Sequence, residues 1–200
     1  KWPKPHGLVD LGISRTLQGV GLFPELTVLE NVMVGDSKSS KSGLISSALG
    51  LNGKDEAKLK ARAMTALERV YASGIADQRA DSLSYPVTKR VAIARAIVMN
   101  PKYLFCDEPN SGLDPNTAIL IDNLIQEITD EYQITTVINT HDMNSVMQIG
   151  DKIVFLKDGI KSWEGTNKEI FKTDNEAVVK FVYSSELFKK VRLAYLNETK

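Results

Sequence analysis

The sequence predicts an α/β fold built on a parallel sheet, and three features lead to that class. Residues 103–106, YLFC, form a short continuous apolar run introduced by Asn100 and Pro101, and ITTVIN at 134–139 forms a second. Between them Asp114 and Pro115 make a helix start, and Leu120, Ile121, Leu124, Ile125 and Ile128 give the following helix a broad buried stripe. Strand, helix and strand in that order form a right-handed crossover unit. Continuous apolar runs, as opposed to alternating ones, fit parallel strands covered on both faces.

Taken in order, the first segment is SRTLQGVGLFPELTVLENVMVG at 14–35, a loop containing Gln18 and two glycines that continues into a mixed apolar stretch. DSKSSKSG at 36–43 reads as a polar, flexible connector. From Asp55 to Tyr71, Leu59, Ala63, Leu67 and Val70 recur at steps of four, four and three, and Glu56 stands four before Lys60. That is the pattern of an amphipathic helix whose polar side is wet. A second helix is expected over 87–99, with Val91, Ala94 and Val98 on one side. Ser84 is placed to cap it, and Pro86 suits its first turn.

Beyond ITTVIN, KIVFLKDGIKSWEG at 152–165 carries two β-prone runs joined by Asp158 and Gly159, a strong hairpin signal. Thr166 with Glu169 three residues later is a capping box, and short helices are expected to the end. The chain shows no internal repeat.

Composition narrows the function classes. With 42% hydrophobic and 25% charged residues in 200, the chain has the make-up of a globular domain. Lys plus Arg number 25 and Asp plus Glu number 25, so no net field draws it onto nucleic acid or an acidic membrane. The single cysteine, Cys106, sits inside an apolar run without a disulfide mate, which suits a reducing compartment and a core role. No stretch matches a membrane span or a signal peptide, so the chain is expected neither to cross a membrane nor to be exported.

The chemistry is expected at the carboxyl ends of the strands, where parallel sheets bind ligands. Asp107 and Glu108 follow the first run, and Thr140, His141 and Asp142 follow the second. Side chains alternate along a strand, so one carboxylate can hold a cation while the other meets a water. A bound Mg²⁺ offsets their repulsion, and phosphoryl transfer needs a metal-linked carboxylate beside a group that orients the attacking water.

These residues carry a family resemblance. YLFCDEP resembles the Walker B segment of ATP-binding cassette (ABC) ATPases, SGLD resembles their D-loop, and His141 stands where their switch histidine would. Gln18 in RTLQGVGLFPELTVLENV is similar to the Q-loop, and LSYPVTKRVAIARAI occupies the place of the signature motif before its helix. The resemblance covers nearly the whole chain. It implies a P-loop NTPase-like (RecA-like) parallel sheet core with an inserted α-helical subdomain, lacking the Walker A strand-loop-helix. The expected divisions are a core segment at 1–35, a helical subdomain at 36–100, a second core part at 101–170 and a helical tail at 171–200.

It also implies ATP and Mg²⁺ as cofactors, transmembrane permease subunits and a second ATPase domain as partners, and a place on the inner face of the membrane. By resemblance Asp107 is the metal-side carboxylate, Glu108 the general base or water-orienting group, and His141 the γ-phosphate sensor. Gln18 links the metal site to the membrane partner. Ser84 is a phosphate contact or a plain helix cap. Gly112 and Asp114 belong to the D-loop, where Asp114 contacts the second domain, caps a helix, or does both. The first 100 residues are most similar to ATPases of branched-chain amino-acid importers, and the remainder to those of lipid-trafficking and general importers.

Two departures stand out. No GxxxxGK[ST] is present, the nearest string being ALGLNGKD. In the family that loop lies upstream of the Q-loop, so the resemblance implies a fragment, a truncated product, or one half of something completed by another segment, with unpaired strand edges. Losing three charge-assisted phosphate bonds at roughly 1.5 to 3 kcal/mol each weakens ATP binding on the order of a thousandfold or more. The second departure is LSYPV where most of the family has LSGGQ: Tyr85 adds bulk and Pro86 removes a backbone donor.

Overall fold

The computed structural model describes residues 7–16, 20–36, 53–183 and 188–190. The chain divides into two compact units, Lys1–Asn139 and Thr140–Lys200. The connector at 37–43 and Gln18 lie outside the described residues.

In the first unit, strands β1 (Ile13–Arg15), β2 (Tyr103–Asp107) and β3 (Thr135–Asn139) form a parallel sheet with β2 in the middle. The register aligns Arg15 with Phe105 and Val137, and Asp107 with Asn139. The helices are α1 (Val28–Met33), α2 (Gly53–Arg69), α3 (Tyr85–Ile97) and α4 (Pro115–Tyr132). Thus β2, α4 and β3 form the expected crossover unit, and α2 and α3 fall within two residues of the spans their spacing predicts. Strand β1 and helix α1 are additions: both are too short for periodicity to reveal.

Helix α1 depends on its entry. Thr27 accepts from the Glu30 amide while the Glu30 carboxylate accepts from the Thr27 amide, a closed capping box. The next two amides, Val28 and Leu29, donate to the Gln78 and Ala76 carbonyls, so tertiary contacts meet donors the helix cannot satisfy. One core unites Val28 and Val32 of α1, Ala63 and Leu67 of α2, Val91, Ile93 and Ile97 of α3, Ile121, Ile125 and Ile128 of α4, and Leu104 and Cys106 of β2. Gly35 permits α1 to end against α3: a Cβ there would lie 2.2 Å from the Arg95 carbonyl oxygen.

Five expectations change. Strand β2 is not covered on both faces: Leu104 and Cys106 are buried, but Tyr103 and Phe105 are 45% and 41% exposed. On β3, Val137 is 44% exposed on that same face, and Thr136 and Ile138 on the other are only half-buried. The helices pack on the opposite face of the sheet. Leu120 leaves the buried stripe of α4 and is 66% exposed, because it precedes Ile121 by one residue and therefore points about 100° away. Asp36, placed in the flexible connector by its polar neighbours, is instead buried and ion-paired with Arg62 of α2. Ser84 holds the N-cap position of α3, yet its side chain makes no capping bond.

The second unit holds α5 (Met143–Ile149), the antiparallel hairpin β4 (Ile153–Lys157) and β5 (Ile160–Gly165), and α6 (Glu176–Val182). Asp158 and Gly159 make the hairpin turn with φ of +51° and +77°. Both central residues are left-handed, which is why Asp-Gly signals this turn. The Thr166–Glu169 box forms as predicted, but it closes a run of turns without an α-helix following. A separate core gathers Ile170, Phe171, Val178, Val182 and Tyr183, with Phe155 and Trp163 of the hairpin packed on it.

Candidate functional site

The acidic pair closes the central strand. Asp107 is the last residue of β2, and Asn139, directly across from it on β3, donates from Nδ2 to Asp107 Oδ1 at 2.8 Å. From the other side, the hydroxyl of Thr16, the residue after β1, accepts from the Asp107 amide at 3.4 Å. The carboxylate is partly exposed and shares the open sheet face with Phe105 and Tyr103.

Immediately afterwards the chain turns. Glu108 takes a left-handed backbone with φ of +46°, its amide donates to the Asn139 carbonyl at 2.9 Å, and its Oε2 is buried. The left-handed step ends the regular alternation of the strand at Glu108. The loop is then pinned by buried Asn110, whose Nδ2 lies 3.5 Å from both carboxylate oxygens of Asp122, itself buried on α4. At the loop's end Asp114 caps α4, accepting from the Asn116 and Thr117 amides at 3.1 Å and from the Thr117 hydroxyl. Its Thr117 bonds hold the Asp114 carboxyl below the ordinary Asp value. The cap reading of Asp114 therefore holds, and the residue is also exposed.

Gly112 (φ +79°) lies against Tyr85: a Cβ there would come 3.2 Å from the ring. The structure thus brings together Asp107, Glu108, Gly112 and the signature segment within the first unit. Ser84 is exposed at the start of α3. His141 is exposed at the beginning of the second unit, two residues past the end of β3.

Residue reasoning missed several supporting groups. Asn139 carries no motif of its own and became visible only through register with Asp107. Arg95 grips the segment that follows Gln18, donating to the Gly21 and Val20 carbonyls at 2.6 and 2.7 Å, where both residues have positive φ. Burial lowers the Arg95 pKa below its ordinary value, although a guanidinium stays charged at neutral pH. Cys106 is core, as expected; burial pushes its thiol up to about 12.

The residues fit the implied cofactor. Mg²⁺ typically binds through one or two carboxylates, with water and substrate phosphates completing its shell, and Asp107 offers one partly exposed carboxylate oriented by Asn139. Among the described residues no group of three His, Cys, Asp or Glu side chains is spaced to cage a metal. Nor is any described helix long and apolar enough to cross a membrane.

Comparison with known proteins places the fold and the family. Solved structures of similar shape include cbiO1 from Clostridium perfringens, described as part of the ABC transporter complex cbiONQ. It matches with a TM-score of 0.69 and 29% identity, over 98% of this chain and 71% of that one. The dimeric post-hydrolysis state of the ATP-binding cassette MJ0796, bound to ADP and Pi, matches with a TM-score of 0.63 and 30% identity, over 82% and 68%. The high-affinity branched-chain amino acid transport ATP-binding protein LivG of Salmonella typhimurium is 38% identical over 165 residues, 82% of this chain and 65% of LivG. The phosphonates import ATP-binding protein PhnC 2 of Oceanobacillus iheyensis is 32% identical over 169 residues, again 65% of its length. The chain thus spans just under two thirds of these relatives. The ABC transporter family model matches residues 6–111, more than half of the chain and through the acidic pair, and with the fold and the relatives agreeing, this chain belongs to the ABC transporter family.

Proposed function

We propose that this chain is the ATP-binding subunit of an ABC importer and works on the inner face of a membrane beneath permease subunits, paired with a second ATPase domain. The similarity to LivG supports an amino acid as the transported class. The observation that carries the reading is the closure of the central strand: Asp107 held by Asn139, then Glu108 in a left-handed turn.

Bound Mg²⁺ would neutralise charge on the terminal phosphates. Asp107 takes the metal side, kept in one orientation by the Asn139 amide. Glu108 orients the attacking water and accepts its proton as the bond to the phosphoryl group forms. His141 contacts the γ-phosphate, Gln18 joins the metal site to the permease, and Ser84 with Gly112 and Asp114 serve the facing domain's nucleotide.

A second reading, a non-hydrolytic scaffold of the same fold, is favoured by Pro86 in the signature segment, which removes a backbone donor there. Of two assays, the second separates them. Isothermal titration of the 200-residue chain is expected to show no micromolar Mg-ATP binding. A form carrying a phosphate loop ahead of residue 1 is expected to hydrolyse ATP, with Glu108→Gln lowering kcat by about 100-fold or more. Unchanged turnover in that variant refutes the assignment of the base, and no turnover with Glu108 intact supports the scaffold.

A further inference from the structure

Glu108 holds a backbone conformation that non-glycine residues keep only where their surroundings fix it. Three hydrogen bonds converge on its peptide groups. Its amide donates to Asn139, and its carbonyl accepts from the Ser111 amide at 3.2 Å and from Lys89 Nζ at 3.0 Å. Lys89 comes from another element, α3, and is only 4% exposed. A buried ammonium requires compensation, and here a carbonyl oxygen and an aromatic face are two sources of it: Nζ lies 5.2 Å from the centroid of the Tyr85 ring. Tyr85 in turn rests on Gly112. A continuous set of contacts therefore runs from Gly112 through Tyr85 and Lys89 back to Glu108. The bulk of Tyr85, a departure by motif, supplies the surface on which the ammonium sits.

We propose that Lys89 is a positioning residue: seated on Tyr85, its ammonium holds the Glu108 carbonyl and fixes where the Glu108 side chain points, linking the start of α3 to the water-orienting carboxylate. This rests on the role proposed above for Glu108. A lysine head is a compact point charge on a flexible stem, so the link is a point contact without fixed fork geometry.

The test uses Lys89→Met, which keeps the stem and removes the charge, Lys89→Arg, and the exposed-site variant Tyr85→Leu. Amide exchange read by NMR on the 200-residue chain is expected to rise about tenfold or more at Glu108 and Ser111 in Lys89→Met, with Ile125 on α4 unchanged. Lys89→Arg is expected to restore most of the protection, and Tyr85→Leu to lose part of it. Protection unchanged in Lys89→Met, or lost equally across the unit, overturns the proposal. In the phosphate-loop form, Lys89→Met is expected to lower kcat about tenfold with KM for ATP changed less than about twofold, and Lys89→Arg to recover it. A KM effect alone also overturns the proposal. If that form hydrolyses nothing with Lys89 intact, the role of Glu108 fails, while the exchange data still decide whether Lys89 holds its backbone.

Discussion

Replacing Asn31 by Ala is expected to destabilise the first unit by about 3 kcal/mol, because one fully buried amide organises the whole segment that follows Gln18. Asn31 Oδ1 accepts from the Phe23 amide at 2.7 Å, and Nδ2 donates to the Phe23 and Thr27 carbonyls at 3.0 Å each. The Leu26 carbonyl at 3.4 Å shares one of the two N–H groups. Alanine removes three good bonds at about 1 kcal/mol each and leaves the Phe23 amide and carbonyl beside a void. For a chain of this size that corresponds to a fall in Tm of roughly 6 to 12 °C, measured by far-UV circular dichroism. Asn31→Asp, which retains the acceptor but loses both donors and buries a charge, is expected to be at least as damaging at neutral pH. A fall of less than about 2 °C in Asn31→Ala would mean that solvent replaces these bonds at no cost, and the account of the 20–27 segment would be wrong.

Two further outcomes test the sheet and the hairpin. Leu104→Ala is expected to cost about 3 kcal/mol and Phe105→Ala less than about 1 in urea unfolding, since adjacent residues of β2 face a full core and an open surface; equal costs would contradict the one-sided sheet. Glu164, held by Lys152 and Lys161 at 2.6 and 2.7 Å, has its carboxyl lowered to about 2, chiefly by the Lys152 bond. Because the folded value is depressed, its contribution is present above the ordinary value of 4.5 and fades as pH falls toward about 2. NMR titration of Lys152→Ala is expected to move the Glu164 midpoint upward; an unmoved midpoint refutes the pairing.

Residue order alone determined the crossover unit, the two long helices, the Asp-Gly hairpin and the acidic pair at a strand end, because each is written in local chemistry: apolar period, cap residues, turn residues. It also placed Asp114 as a cap. Tertiary structure decided what depends on partners distant in the chain. Asn139 orients Asp107 only because parallel register sets them side by side, and Lys89 reaches Glu108 only because α3 packs beside the end of β2. The exposed face of β2 and β3 was likewise not legible, since an apolar run records what a residue prefers and only the assembled sheet shows what covers it.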